Sequence, residues 1–238
     1  MEKLKEHKEK VQRKSVPQIL EWALREFGAD RIALAAAFGL ESQVITDILV
    51  KINPSVRIFT IDTGRLFQET YEVMQKTMDK YGIKYEVYAP HPHDLNELIA
   101  GGGPNLFYKN IENRKKCCEI RKVRPLKKVL STVDAWITGL RSGQADTRKK
   151  VEVIEWDMNH RIYKLNPLAD WDEKRVWEYI QANDVPYNQL QDYGYRSVGC
   201  ACCTRAVASN EDIRVGRWWW ETLGPKECGL HVAPEYQI

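Results

Sequence analysis

Short apolar runs that alternate with amphipathic helical stretches constrain this chain more than any other feature. Arg31–Ala37 reads as a buried parallel strand, and Phe38-Gly39 turns into a helix with inner positions Val44, Ile48 and Leu49. The alternation then repeats: strand Val56–Ile61, helix Phe67–Tyr81, strand Ile83–Tyr88, helix Arg114–Leu130 and strand Ala135–Thr138. Upstream, Ser15 and Pro17 start a helix whose face is Ile19, Leu20, Ala23, Leu24 and Phe27, closed by Gly28. This pattern predicts an α/β fold, a doubly wound and mostly parallel sheet, followed by an irregular cysteine-bearing C-terminal segment. Beyond Gly139 the pattern loosens. Arg141–Lys150 reads as a loop able to close on a ligand, Val151–Glu155 and Arg161–Leu165 as short strands. Asp170 and Glu173 read as a capping box for a helix ending near Asn183. Gly101-Gly102-Gly103 reads as a flexible loop.

Three segments are expected: a charged arm over 1–14, an α/β domain over 15–210 and a mobile tail over 211–238. With 238 residues, 43% hydrophobic and 29% charged, the chain suits a soluble globular protein with a sizeable core. Its longest apolar run, Ile32–Leu40, is too short to cross a membrane. No apolar signal core follows the charged start, so a cytoplasmic protein with reduced thiols is expected. The net charge of +3 resides in residues 2–14, and the remainder is balanced, which argues against a nucleic-acid surface. Within that remainder, residues 114–150 hold twelve Lys/Arg against three acids, a local +9 suited to an anionic ligand.

The six cysteines fall as Cys117-Cys118, Cys200-Ala201-Cys202-Cys203 and Cys228. Clustered thiols in a reducing compartment point to metal or redox chemistry. Adjacent residues on a helix diverge by about 100°, so Cys117 and Cys118 converge poorly on one tetrahedral zinc. A [4Fe-4S] cluster offers each thiolate its own iron and is favoured, with zinc left open. Cys202, inside the knuckle, reads as a bystander. Cys228 stands near cations (Lys226, Arg214, Arg217 and His231), which leaves it a nucleophile or an inert thiol. Two strand-to-helix turns remain. Phe38-Gly39-Leu40-Glu41-Ser42 reads as a phosphate site or a plain turn, and Asp62-Thr63-Gly64 as a base or ribose reader or an N-cap.

Together these residues resemble the adenylyl-sulfate / phosphoadenylyl-sulfate reductase family, iron–sulfur subgroup, whose fold is adenine nucleotide alpha hydrolase-like. The resemblance runs from about Trp22 to His231. Its motifs are Cys117-Cys118 with Arg121-Lys122-Val123, Thr138-Gly139-Leu140-Arg141 with Gln144 and Arg148, Ser197 to Arg205, Gly216-Arg217-Trp218, and Glu227 to His231. It implies that Cys228 attacks the sulfur of adenosine 5′-phosphosulfate, releasing AMP and forming a thiosulfonate, with His231 beside it. A thioredoxin- or glutaredoxin-type dithiol then releases sulfite. It implies one [4Fe-4S] cluster per chain on Cys117, Cys118, Cys200 and Cys203, not serving as an electron shuttle to substrate. It implies a nucleotide site drawn from Phe38, Gly39, Glu41, Ser42, Asp62, Thr63, Gly64, Lys122, Arg141, Gln144, Arg148, Arg214 and Arg217. A homo-oligomer with no nucleic-acid or membrane partner is expected, and a preference for the 3′-phosphorylated substrate is the alternative. Two departures stand out: Ala37 where the family commonly has Ser, and Cys202 where Pro is usual. An ATP pyrophosphatase would need a Ser-Gly-Gly-x-Asp-Ser loop, which is missing. A zinc-stabilised nucleic-acid module conflicts with the charge balance.

Overall fold

The computed structural model describes residues 2–142, 144, 151–208 and 210–221. In chain order the elements are α1 (Glu2–Val11), α2 (Val16–Phe27), β1 (Ile32–Ala35), α3 (Leu40–Ile52), β2 (Arg57–Ile61), α4 (Gln68–Tyr81) and β3 (Glu86–Tyr88). There follow α5 (Pro92–Gly102), α6 (Ile111–Cys118), α7 (Arg124–Leu130), β4 (Ala135–Ile137), β5 (Ile154–Asp157), β6 (Ile162–Leu165) and α8 (Glu173–Ala182). Six strands form one sheet in the order β3-β2-β1-β4-β6-β5. β1 lies parallel to β2 and β4, β4 lies parallel to β6, and the edge strand β5 is antiparallel to β6. The α/β class with a mostly parallel sheet is as expected. β1 is central because Ile32, Ala33 and Leu34 leave no polar face for water.

The chain divides into two compact units. The first comprises Met1–Thr60, Gln68–Glu86 and Leu130–Gln189, and the second Ile61–Phe67, Val87–Val129 and the stretch from Leu190 onward. In the first, α3 is buried along most of its length, and Leu20, Ile32, Leu34, Ile45, Leu49 and Ile58 form the dry centre. A buried carboxylate fixes α3. Asp47 accepts hydrogen bonds from Tyr81 (2.8 Å), Tyr179 (2.6 Å) and Lys51 (2.7 Å). Burial first, then the Asp47 hydrogen bonds, drives both tyrosine hydroxyls well above their ordinary value, so they stay protonated donors.

Four local expectations are corrected. The first residues, read as a solvated charged helix or a frayed arm, form a helix, but not a wholly solvated one. Helix α1 buries His7 and Val11 and packs against β5, because these are its inward positions four apart. The Gly101–Gly103 stretch is not a free loop, since Gly101 and Gly102 end α5; a side chain at Gly102 would collide with Leu106 at 2.9 Å. The cap of α8 is Asp172, whose side chain accepts from the Arg175 N–H at 2.7 Å, not Asp170. Finally, Arg114–Leu130 is not one regular helix. Between α6 and α7, Glu119–Val123 forms a π turn, with the Arg124 N–H reaching back five residues to the Glu119 carbonyl. Among the described residues, no helix is long and apolar enough to cross a membrane.

His7 gives the first unit a pH signature. Its ring is fully buried, with ring centroids 5.3 Å from Trp22, 5.7 Å from Phe27 and 4.8 Å from Tyr163. Nε2 lies 3.3 Å from Glu26, while the buried Nδ1 has no partner. Burial lowers the imidazole pKa below its ordinary 6.5, outweighing the opposite pull of Glu26; Lys3 and Lys10 push the same way as burial. A depressed histidine stabilises the folded state in its neutral form, so the contribution is complete above pH 6.5 and is lost as pH falls through the folded value. The thermal midpoint of wild type should therefore fall on acidification below that point more steeply than that of His7→Phe. Parallel curves for the two proteins would show that His7 contributes nothing to the acid sensitivity.

Candidate active site

Two sets of predicted residues are brought together, one in each unit. In the first unit, the chain leaves β1 through Phe38, which has a φ of +55° although its side chain is bulky, and whose ring packs on Tyr85. Gly39 then caps α3. The first-turn N–H groups of α3 are left over by the helix ladder and favour an anion there. The Ser42 hydroxyl is not spare, since it donates to the Gly39 carbonyl at 3.0 Å. Beside this turn Glu41 accepts from Arg141 Nε at 2.8 Å and from the Gln144 amide at 2.9 Å. The Arg141 N–H in turn donates to Gln144 Oε1 at 3.1 Å. Gly139 allows this closeness, because a Cβ there would stand 2.8 Å from the Glu41 Cβ. Glu41, Arg141 and Gln144 therefore form one polar cluster at the turn. Arg148 itself lies outside the described residues, as do Cys228 and His231.

In the second unit, Cys117, Cys118, Cys200 and Cys203 are all buried in a single apolar cluster with Leu98, Leu106, Phe107, Ile120 and Trp218. Cys117 and Cys118 end α6. Cys200 and Cys203 bracket one short helical turn, in which the Cys203 N–H donates to the Cys200 carbonyl at 2.9 Å. Cys202 is half-buried, with its sulfur 3.7 Å from that of Cys203. Its charge also acts on Cys117. It thus lies beside Cys203 and against the apolar cluster that buries the other thiols.

The Asp62–Gly64 turn sits at this thiol cluster. The Thr63 hydroxyl lies 3.3 Å from Cys200 Sγ, and the Asp62 carboxylate accepts from the Gly64 N–H at 2.7 Å. Asp62 therefore closes a turn and does not cap α4, which starts at Gln68. Gly64, with a φ of +68°, completes it. Three cations complement the sulfurs. Arg121 donates to the Thr63 carbonyl at 2.5 Å and its charge draws down the Cys117 thiol, although burial wins and leaves that thiol raised. Arg65 sits beside Cys202, and the buried Lys122 acts on Cys203. The contact between the two sulfurs, with burial, pushes Cys203 up, and the same contact, aided by Arg65, draws Cys202 down.

Arg217 is buried against Trp218, its guanidinium 4.9 Å from the ring centre, and a Cβ on Gly199 would strike it. On the same ring Arg114 stands at 4.6 Å, and it forms two 2.9 Å bonds to Glu221. The Arg214 N–H donates to the Asp212 carboxylate at 2.8 Å. Trp218 Nε1 and Arg121 Nε are buried without a partner. Orphan donors beside buried thiols suit a sulfur-rich anionic group such as an iron–sulfur cluster. Among the described residues, no three His, Cys, Asp or Glu side chains are gathered tightly enough to hold one metal ion. Sequence reasoning gave no role to Arg65, Arg114 or Glu221. Arg65 and Arg114 were visible only as charges, and nothing marked Glu221.

Comparison with known proteins now bears on this geometry. The profile of the phosphoadenosine phosphosulfate reductase domain matches residues 31–206. The adenosine 5′-phosphosulfate reductase of Allochromatium vinosum is 45% identical over 214 residues, 90% of this chain and 83% of that protein. The Burkholderia cepacia enzyme of the same name is 42% identical over 204 residues, 86% and 82% of the two chains. Among solved structures, phosphoadenylyl-sulfate reductase from Candida auris, in a phosphate complex, superposes with a TM-score of 0.75 at 31% identity. That match covers 86% of this chain and 97% of that one. Candida glabrata FMN adenylyltransferase shares the fold alone, with a TM-score of 0.56 at 15% identity over 87% of this chain and 69% of that one.

Proposed function

Since this chain belongs to the phosphoadenosine phosphosulfate reductase family and is an oxidoreductase of it, we propose that it reduces adenosine 5′-phosphosulfate to sulfite and AMP through a thiosulfonate on Cys228. The choice of substrate within the family is supported by relatives named for adenosine 5′-phosphosulfate at 40–45% identity over most of the chain. The observation that carries the reading is the gathering of Cys117, Cys118, Cys200 and Cys203 in one buried apolar cluster. We assign these four thiols to one [4Fe-4S] cluster, which when bound would tie the end of α6 to the Cys200–Cys203 turn and place a charged body beside Lys122.

The chemistry then belongs to the chain's side chains. The Cys228 thiolate attacks the sulfate sulfur, the bond from that sulfur to the bridging oxygen breaks, and AMP leaves with the electron pair. The first thiol of a thioredoxin- or glutaredoxin-type dithiol attacks Cys228 Sγ and expels sulfite. The second thiol resolves the mixed disulfide, so the dithiol is oxidised as sulfur falls from the sulfate to the sulfite level. Thiolate and phosphosulfate repel each other, and cations must offset this; we assign that role to Lys122, Arg148, Arg214 and Arg217, with His231 near the nucleophile. The α3 turn at Gly39 is assigned to the phosphate and the Glu41–Arg141–Gln144 cluster to positioning the loop.

Sulfite production should be measured with adenylyl sulfate and with its 3′-phosphate under a dithiol reductant. Adenylyl sulfate is expected to give at least about a tenfold higher kcat/KM, a difference of ~1.4 kcal/mol in transition-state binding. The reverse order would make the chain a phosphoadenylyl-sulfate reductase.

A further inference from the structure

We propose that Cys202 is a reserve ligand of the thiol centre, able to take the metal position of Cys203 when Cys203 is lost. The proposal rests on the reading that the four buried thiols hold an iron–sulfur cluster. Its basis is that a fifth thiol lies against the apolar cluster that buries the other four. The Cys202 and Cys203 sulfurs are 3.7 Å apart, and Cys202 packs against the same apolar cluster as the others. The Tyr108 hydroxyl donates to the Cys202 carbonyl at 2.8 Å, which fixes its backbone. Only the single side-chain torsion of Cys202 needs to change well. In the exchange the Cys202 thiol gives its proton to solvent and its thiolate forms the bond to iron that Cys203 no longer makes; no electron changes hands.

Iron and sulfide per chain, visible absorption and the EPR of the reduced cluster should be compared after anaerobic reconstitution of wild type, Cys118→Ser, Cys202→Ser, Cys203→Ser and the Cys202→Ser/Cys203→Ser double variant. Cys203→Ser and Cys202→Ser are expected to keep most of the iron, and the double variant and Cys118→Ser to lose it. A full wild type with an empty Cys203→Ser overturns the reserve-ligand proposal alone. A wild type that binds no iron and sulfide overturns the cluster reading itself. A second measurement does not depend on Cys203→Ser folding: iron should leave Cys202→Ala for a chelator several-fold faster than it leaves wild type, because recapture is gone. Equal rates would also overturn the proposal.

Discussion

Cys228→Ser is expected to abolish sulfite release while leaving iron and sulfide content at the wild-type level. The loss should exceed about a thousandfold, as for removal of other covalent nucleophiles. The chemistry makes the expectation stricter than a slow nucleophile would. A serine that attacked the substrate would form a sulfate ester in which sulfur remains bound only to oxygen. No thiol can then expel sulfite, since that step cleaves a sulfur–sulfur bond. Wild type mixed with adenylyl sulfate and no reductant should release one AMP per chain and carry one SO3 group on the peptide that contains Cys228. Substantial sulfite from the serine variant would remove Cys228 from the mechanism. A variant lacking both activity and iron would mean that Cys228 belongs to the metal centre.

The second large effect is on stability. Arg114→Met should destabilise the protein by ~3–5 kcal/mol, because Glu221 would keep a buried carboxylate without its partner. The pair is bidentate at 2.9 Å, with side chains only 3% and 5% exposed. Arg114 also covers one face of Trp218, so its loss reaches the thiol pocket. For a chain of this size the thermal midpoint should drop by roughly 6–20 °C. The double variant Arg114→Met/Glu221→Leu should recover most of that, since apolar replacement of a buried pair removes two desolvation costs at once. A double variant as unstable as the single one would place the energy in the Arg114–Trp218 contact instead of the ion pair.

The sheet was legible because β1, β2 and β4 are buried apolar runs, a signal that needs no tertiary context. The cysteines were legible through spacing. Less was readable where structure depends on a partner far away in the chain. His7 looks like one polar residue in a charged run until Trp22, Phe27 and Tyr163 close over it. Gly101 and Gly102 hide the end of α5 because glycine signals flexibility, whereas the close approach of Leu106 excludes a side chain at Gly102. The π turn spans five residues, too few to disturb a helical periodicity, so Glu119–Val123 read as ordinary helix. The nearness of Cys202 to Cys203 was not readable, because it depends on the short turn over Ala201–Cys203.

The second unit draws on three separate stretches of chain, the last beginning at Leu190. This orders events on the ribosome. The first unit has received all of its residues by Gln189. Cys117 and Cys118 emerge about eighty residues before Cys200, some 4–16 s earlier at ordinary synthesis rates. Until then the chain does not yet contain Cys200 and Cys203. On the proposed assignment of these four thiols to one cluster, its full ligand set exists only once Cys203 has been made, which would make iron delivery a late event in biogenesis.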